Sequence, residues 1–247
     1  MRRYPPGFLS LSASVACERF GFFLLTSLLL LYLSERLGFT TAQATDVLGC
    51  FIAATYVSPL LASAVTDGRF GIVRGTALGY IVAAAGYSLL VAESRPTMYA
   101  GLTLIALGAG AAKLAPQSLA TRLFAAQPQL HDRGLTLIYL LANVSALVSP
   151  VIGETARAWF GWPAAFALAS LSLVAAWLII QAQTPVLRAV ESEPSVHHDA
   201  SKSDESGSLL TLLSLCSLSA LLTIPHMQAG STLLLWARDS TDRNLLG

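Results

Sequence analysis

The chain has 247 residues, 54% of them hydrophobic and 12% charged, with a mean hydropathy of +0.63. A soluble domain carries about 25% charged residues, so this composition excludes a water-facing surface over most of the chain and makes lipid its main solvent. A net charge of +1 and the lack of a basic stripe exclude nucleic acid as a partner.

A membrane span needs about 20 mostly apolar residues. Taken in chain order, seven stretches meet that need: 8–33, 46–66, 72–92, 97–125, 134–156, 161–183 and 209–237. The first follows Met1-Arg2-Arg3 and runs on through Glu18-Arg19, which the apolar core of a cleaved signal peptide would not contain, so it reads as a retained span. Short polar or glycine-rich turns join the spans, such as Ser34-Glu35-Arg36-Leu37-Gly38 and Asp67-Gly68-Arg69-Phe70-Gly71. One segment differs. Residues 186–208 are rich in Glu, Ser, His, Asp and Lys, a composition that forms no packed core and predicts a solvated linker. The expected organisation is a six-span bundle over 1–185, a cytoplasmic linker over 186–208, and a seventh span over 209–247 that begins a second, incomplete bundle.

Sidedness follows from lysine and arginine. With the N-terminus inside, the inner side receives Arg2, Arg3, Arg69, Arg74, Arg122, Arg133, Arg188 and Lys202, and the outer side Arg36, Arg95, Arg157, Arg238 and Arg243. That excess favours a cytoplasmic N-terminus and linker in a multi-pass protein of the inner (plasma) membrane. Gly71-x-x-x-Gly75-x-x-x-Gly79 and Gly108-x-x-x-Ala112 fit the small-residue spacing of helix contacts in lipid. Cys17, Cys50 and Cys216 lie far apart in apolar runs and read as small buried hydrophobes.

The informative residues are the charges inside the spans. Glu18 and Arg19 sit in the middle of the first and Lys113 inside the fourth. Each costs about 2.5–3.5 kcal/mol at mid-membrane, so they face protein or water and mark a functional site. Val15, Glu18, Arg19, Phe22 and Thr26 share one helix face. Lys113 shares a face with Ala106, Ala109, Gly110, Pro116 and Gln117, and Tyr139 stands one turn from Asn143. The expected arrangement is a polar cavity whose Arg and Lys receive a carboxylate and whose Glu exchanges a proton. A purely structural ion pair is the competing reading. Asp67 and Arg69 suit a clamp between neighbouring helix ends. No nucleophile–base pair and no metal-ligand cluster is apparent, so no catalytic residue, metal or cofactor is expected, and an enzyme is not.

These residues carry a resemblance. Glu18-Arg19-Phe20-Gly21-Phe22-Phe23 resembles the E-x-x-E-R-F-x-Y-Y signature of the proton-dependent oligopeptide transporters, within the major facilitator superfamily. Tyr56-Val57-Ser58-Pro59 followed by Asp67-x-Arg69-x-Gly71 is similar to that family's Y-x-x-P segment and inner-loop motif. Gly108-Ala109-Gly110-Ala111-Ala112-Lys113, Asp132-Arg133-Gly134 with Tyr139 and Asn143, and Gln228-Ala229-Gly230-Ser231-Thr232 continue it in order. The resemblance implies an all-α membrane fold, with a six-helix bundle and the first helix of a second one. It implies proton-coupled uptake of di- and tripeptides in a lipid bilayer. By position, Glu18, Arg19 and Lys113 would couple protons. Arg19, Tyr56, Lys113, Asn143, Gln228 and Ser231 would bind a small peptide or another carboxylate-bearing solute. The first motif acid is Val15 here, and the seventh-span acid is Met227. Those departures keep two alternatives open: a divergent carrier of another solute without proton coupling, and an inactive half-transporter. A family member has two six-helix bundles, so the expectation is a fragment or truncated product.

Overall fold

The structure, a computed structural model, describes residues 4–65, 71–125, 127–192, 214 and 218, the side chains of 63–65, 114 and 115 excepted. The chain divides into two compact units, Met1–Pro194 and Ser195–Gly247. In the second, Ser214 and Leu218 are helical and exposed. The rest of the predicted seventh span, with Gln228 and Ser231, lies outside the described residues, as do Asp67 and Arg69.

The first unit is built from six helices: α1 Phe8–Leu31, α2 Thr41–Val65, α3 Ile72–Leu90, α4 Arg95–Leu123, α5 Pro128–Phe160 and α6 Trp162–Ser192. All six are long and apolar enough to cross a membrane. The fold is all-α and membrane-spanning, as predicted, and no strand forms among the described residues.

Local chemistry sets the helix ends. Ser94 caps α4 by accepting the Thr97 N–H, and Pro96 fills the first turn, where a missing N–H costs nothing. Gly161, at φ 84°, turns the chain between α5 and α6 in the left-handed region that favours glycine. Past Leu31, α1 runs on as one π turn, Tyr32–Arg36, whose Tyr32 hydroxyl donates to the Leu90 carbonyl at the end of α3.

Packing follows small residues. The seam of α2 is Ala44, Leu48, Phe51, Thr55 and Ser58, buried at three- and four-residue spacing against α4. A Cβ on Gly110 of α4 would meet Ser58 at 2.5 Å. Between α3 and α4, Gly79 and Gly108 bring the two backbones together. The α3–α6 contact adds a buried hydrogen bond, from the Ser170 hydroxyl to the Ala84 carbonyl. Helix α1 packs on α5 and α6, with Leu24 over Gly153 and Leu173 over Gly21. Helices α1, α2 and α4 therefore converge on one side of the bundle.

Among the described residues, four arginines make bonds at the helix ends. On one rim, Arg36 pairs with Glu93 at 2.5 Å, Arg157 approaches Glu35 at 3.6 Å, and Arg95 donates to the Leu37 and Gly38 carbonyls. On the other rim, the Arg122 guanidinium donates to the Glu191 carbonyl at 3.0 Å.

One boundary differs from the sequence reading. Helix α6 runs to Ser192, so residues 186–192 are helical where a linker was expected. Tertiary contact overrides composition here. Leu187 is fully buried, and the Glu191 carboxylate accepts the Ile72 N–H at the positive N-terminus of α3. Glu191→Ala is expected to cost about 1 kcal/mol and lower the melting temperature by about 2–4 °C. A thermal melt in detergent, compared with Glu154→Ala on the other rim, checks this.

Candidate functional site

The site grows from three helices. Glu18 and Arg19 are neighbours on α1, and neighbours in a helix do not face each other by default. Their long side chains still meet, with Arg19 Nε 3.0 Å from Glu18 Oε2. The Glu18 side chain is 6% exposed and that of Arg19 24%. The pair is thus graded, with the acid held inside and the guanidinium toward the open side. Val15, one turn below, is buried. Behind the acid, the buried Tyr80 and Tyr87 of α3 lie within electrostatic range of Glu18, and the Tyr80 hydroxyl donates to Ser14 Oγ at 3.5 Å.

Lys113 enters from α4. Its ammonium donates to the Thr55 carbonyl of α2 at 3.1 Å. It also lies 5.2 Å from the Phe22 ring centroid and 5.0 Å from that of Tyr56, both within cation–π reach. Phe22 is shared, since the Arg19 guanidinium stands 6.0 Å from the same ring. One aromatic ring on α1 therefore stands within reach of both cations. Glu18 and Lys113 sense each other's charge, but the carboxylate is bonded to Arg19. The direct partners of Lys113 are a carbonyl and two ring faces, all neutral. Two cations and one carboxylate leave the cluster with an excess of one positive charge.

The structure brings Glu18, Arg19, Tyr56 and Lys113 together around Phe22. Thr26 is on the predicted face, but its hydroxyl is spent on the Phe22 and Phe23 carbonyls of its own helix. Asn143 is exposed on α5, and its amide donates to the Tyr139 carbonyl at 2.8 Å. Tyr139 is 72% exposed. That pair lies on an open helix face, separate from the bonds of the cluster. The sequence reading missed Thr55, which contributes a backbone carbonyl that no side-chain motif reveals. Pro59, four residues on, was its readable signal.

A cavity of about 450 Å³ lies between α2 and α4, around Cys50, Ala54, Leu102 and Leu107. It opens on the other flank of α2 from Tyr56. Its lining is apolar apart from Asp46, Ser58 and Thr103 and holds no cation for a carboxylate, so the chemistry points instead to the Glu18–Arg19–Lys113 cluster.

Comparison with known proteins gives the family and the fold. The profile of the Major Facilitator Superfamily matches residues 11–237. Dipeptide and tripeptide permease A of Proteus mirabilis is 31% identical over 174 residues, which cover 70% of this chain and 36% of that protein. A crystal structure of a mutant of the peptide transporter POT in complex with alafosfalin superposes with a TM-score of 0.73 at 19% identity, covering 90% of this chain and 47% of that one. A bacterial homologue of the human drug peptide transporters PepT1 and PepT2 gives a TM-score of 0.68 at 26% identity, over 94% of this chain and 53% of that one. The chain thus spans about a third of the length of the curated relatives it matches.

Proposed function

This chain belongs to the major facilitator superfamily, and from that premise we propose that it forms the first bundle of a secondary carrier that takes up di- and tripeptides with protons. The observation that carries the reading is the unbalanced charge of the cluster. Lys113 rests on neutral partners while Glu18 is held by Arg19. An uncompensated cation inside a membrane protein is costly unless it has a use, and receiving a solute carboxylate is such a use. The names of the relatives point the same way. Arg19, Tyr56 and Lys113 offer a planar cation, a ring and a point charge to a peptide end. Asn143, Gln228 and Ser231 are proposed as further solute-binding residues from their position in the motif alone.

Glu18 is the proton-coupling group in this reading, because it is the one carboxylate of the cluster. Asp67 and Arg69 are proposed as a clamp on the strength of their place in the sequence motif alone. The excess of lysine and arginine in the inner loops of the sequence supports a cytoplasmic N-terminus, a cytoplasmic linker and residence in the inner (plasma) membrane. A carrier has no bond to break, so no enzymatic role is assigned.

A second reading rests on Val15. Where the resemblance expects an acid, a valine 4% exposed packs into the bundle. A carrier of another carboxylate-bearing solute that works without protons would tolerate that loss. Uptake assays in proteoliposomes, with the full reading frame that carries this chain, separate the two. On the first reading, an inside-alkaline gradient drives alanyl-alanine uptake. Glu18→Gln then lowers gradient-driven uptake at least about 10-fold, as loss of a proton-transfer group does, while counterflow exchange persists. Uptake that ignores both the gradient and Glu18→Gln selects the second reading.

A further inference from the structure

We infer that Pro59 is a positioning residue for Lys113, because its missing N–H leaves the Thr55 carbonyl as a seat for the ammonium. In a regular helix that carbonyl accepts the N–H of residue 59. Residue 59 is a proline inside α2, so it has no N–H, and its ring crowds the same carbonyl. A carbonyl left open away from water is costly and draws whatever donor is near. Two donors come. The Ser58 hydroxyl lies at 3.4 Å, near the limit for a hydrogen bond, and Lys113 Nζ lies at 3.1 Å.

The charge decides which of them counts. A carbonyl dipole favours an ammonium over a hydroxyl, since charge-assisted bonds are about twice as strong as neutral ones. An ammonium has three protons. One goes to Thr55, and the rings of Phe22 and Tyr56 lie beside the group. The stem of Lys113 is flexible, and without the carbonyl these two rings alone would fix its height along the bundle. Gly110, one turn earlier on α4, lies against Ser58 and brings the two helices close enough for the bond. The arrangement thus needs Pro59 on α2, Gly110 on α4 and a lysine three residues on. It ties α4 to α2 through a cation and leaves that cation without a carboxylate. None of this depends on which solute is carried, so its test does not use transport.

Lys113 and Lys202 are the two lysines of this sequence. Lys202 lies in the predicted solvated linker and serves as an internal reference. The protein is reconstituted in nanodiscs and acetylated for short times with acetic anhydride, and the two lysine peptides are quantified by mass spectrometry. Pro59→Ala supplies the N–H that competes for Thr55. The ratio of Lys113 to Lys202 modification is expected to rise about 10-fold, the effect of weakening one hydrogen bond to a charged group. Pro150→Ala, which restores an N–H within α5, is expected to leave the ratio unchanged. If Pro59→Ala does not fold, Pro59→Gly supplies the same N–H on a backbone that still bends, and carries the same expectation. An unchanged ratio in the folded Pro59 variant overturns the inference, and so does an equal rise in Pro150→Ala.

Discussion

Lys113→Met is expected to remove transport and to leave stability nearly unchanged. A lysine at mid-span costs about 2.5–3.5 kcal/mol on insertion scales. Two cation–π contacts, at about 0.5–2 kcal/mol each, and one charge-assisted hydrogen bond, at about 1.5–3 kcal/mol, return a sum of the same size. Removing the ammonium also takes a donor from the Thr55 carbonyl, so the melting temperature is expected to stay within about 4 °C of the wild type. Methionine keeps the length of the stem, so no cavity opens. Transport falls steeply. Truncating one partner of a buried charge pair costs about 2–5 kcal/mol, or roughly 30- to 4000-fold in affinity for the anionic end of the solute. The paired readouts are a thermal melt and alanyl-alanine uptake on the same preparation. Lys113→Arg is expected to fall between, because a planar fork cannot take the place of a point charge on the Thr55 carbonyl. Wild-type uptake by Lys113→Met would remove the carboxylate-seat reading outright, whatever happens to stability.

Much of this site was legible in the sequence, for a simple reason. Charges in apolar runs are rare because they are expensive, so Glu18, Arg19 and Lys113 announced themselves. Helical spacing then put Phe22 and Arg19 on one face, and the structure places them about one ring. The spans were legible because hydropathy reports lipid contact. Their ends were less so, because hydropathy measures the thickness of the bilayer and not the length of the helix. Helix α5 has 33 residues, or about 50 Å, against a hydrocarbon core of about 30 Å. Its predicted window of 134–156 caught the apolar middle and missed both ends. The end of α6 was hidden for another reason. Glu191 looks like a linker residue until it is seen against the N-terminus of α3, 119 residues away in sequence. The Thr55 carbonyl was hidden because side-chain patterns say nothing about a backbone acceptor unless a proline follows at the right distance.

The glycines of the spans give the second large effect, and they separate packing from composition. A Cβ on Gly108 would fall 2.4 Å from the Gly79 carbonyl oxygen and 2.7 Å from the Ala83 nitrogen. Both are backbone atoms, so no side chain can turn aside to make room. Gly79 is reciprocal, with the Gly108 oxygen at 2.6 Å, and Gly86 and Gly101 repeat the contact further along the same two helices at 2.6 and 2.7 Å. The α3–α4 interface is thus set by backbone approach, as small-residue interfaces in lipid are. Gly108→Ala must push the helices apart, and it is expected to cost about 1–3 kcal/mol. Gly49 on α2 is the contrast, because a Cβ there meets nothing within 4 Å. Gly49→Ala is expected to add up to about 1 kcal/mol, since alanine is the better helix former and has room. Fluorescence-detected size exclusion after a temperature series reads both variants on one scale. Opposite signs at two glycines of the same membrane bundle would show that the backbone contact, and not a general liking of spans for glycine, fixes these positions. Equal and small effects at both would mean that α3 and α4 can slide apart without loss, and the close crossing would then not be what holds α4, and with it Lys113, in place.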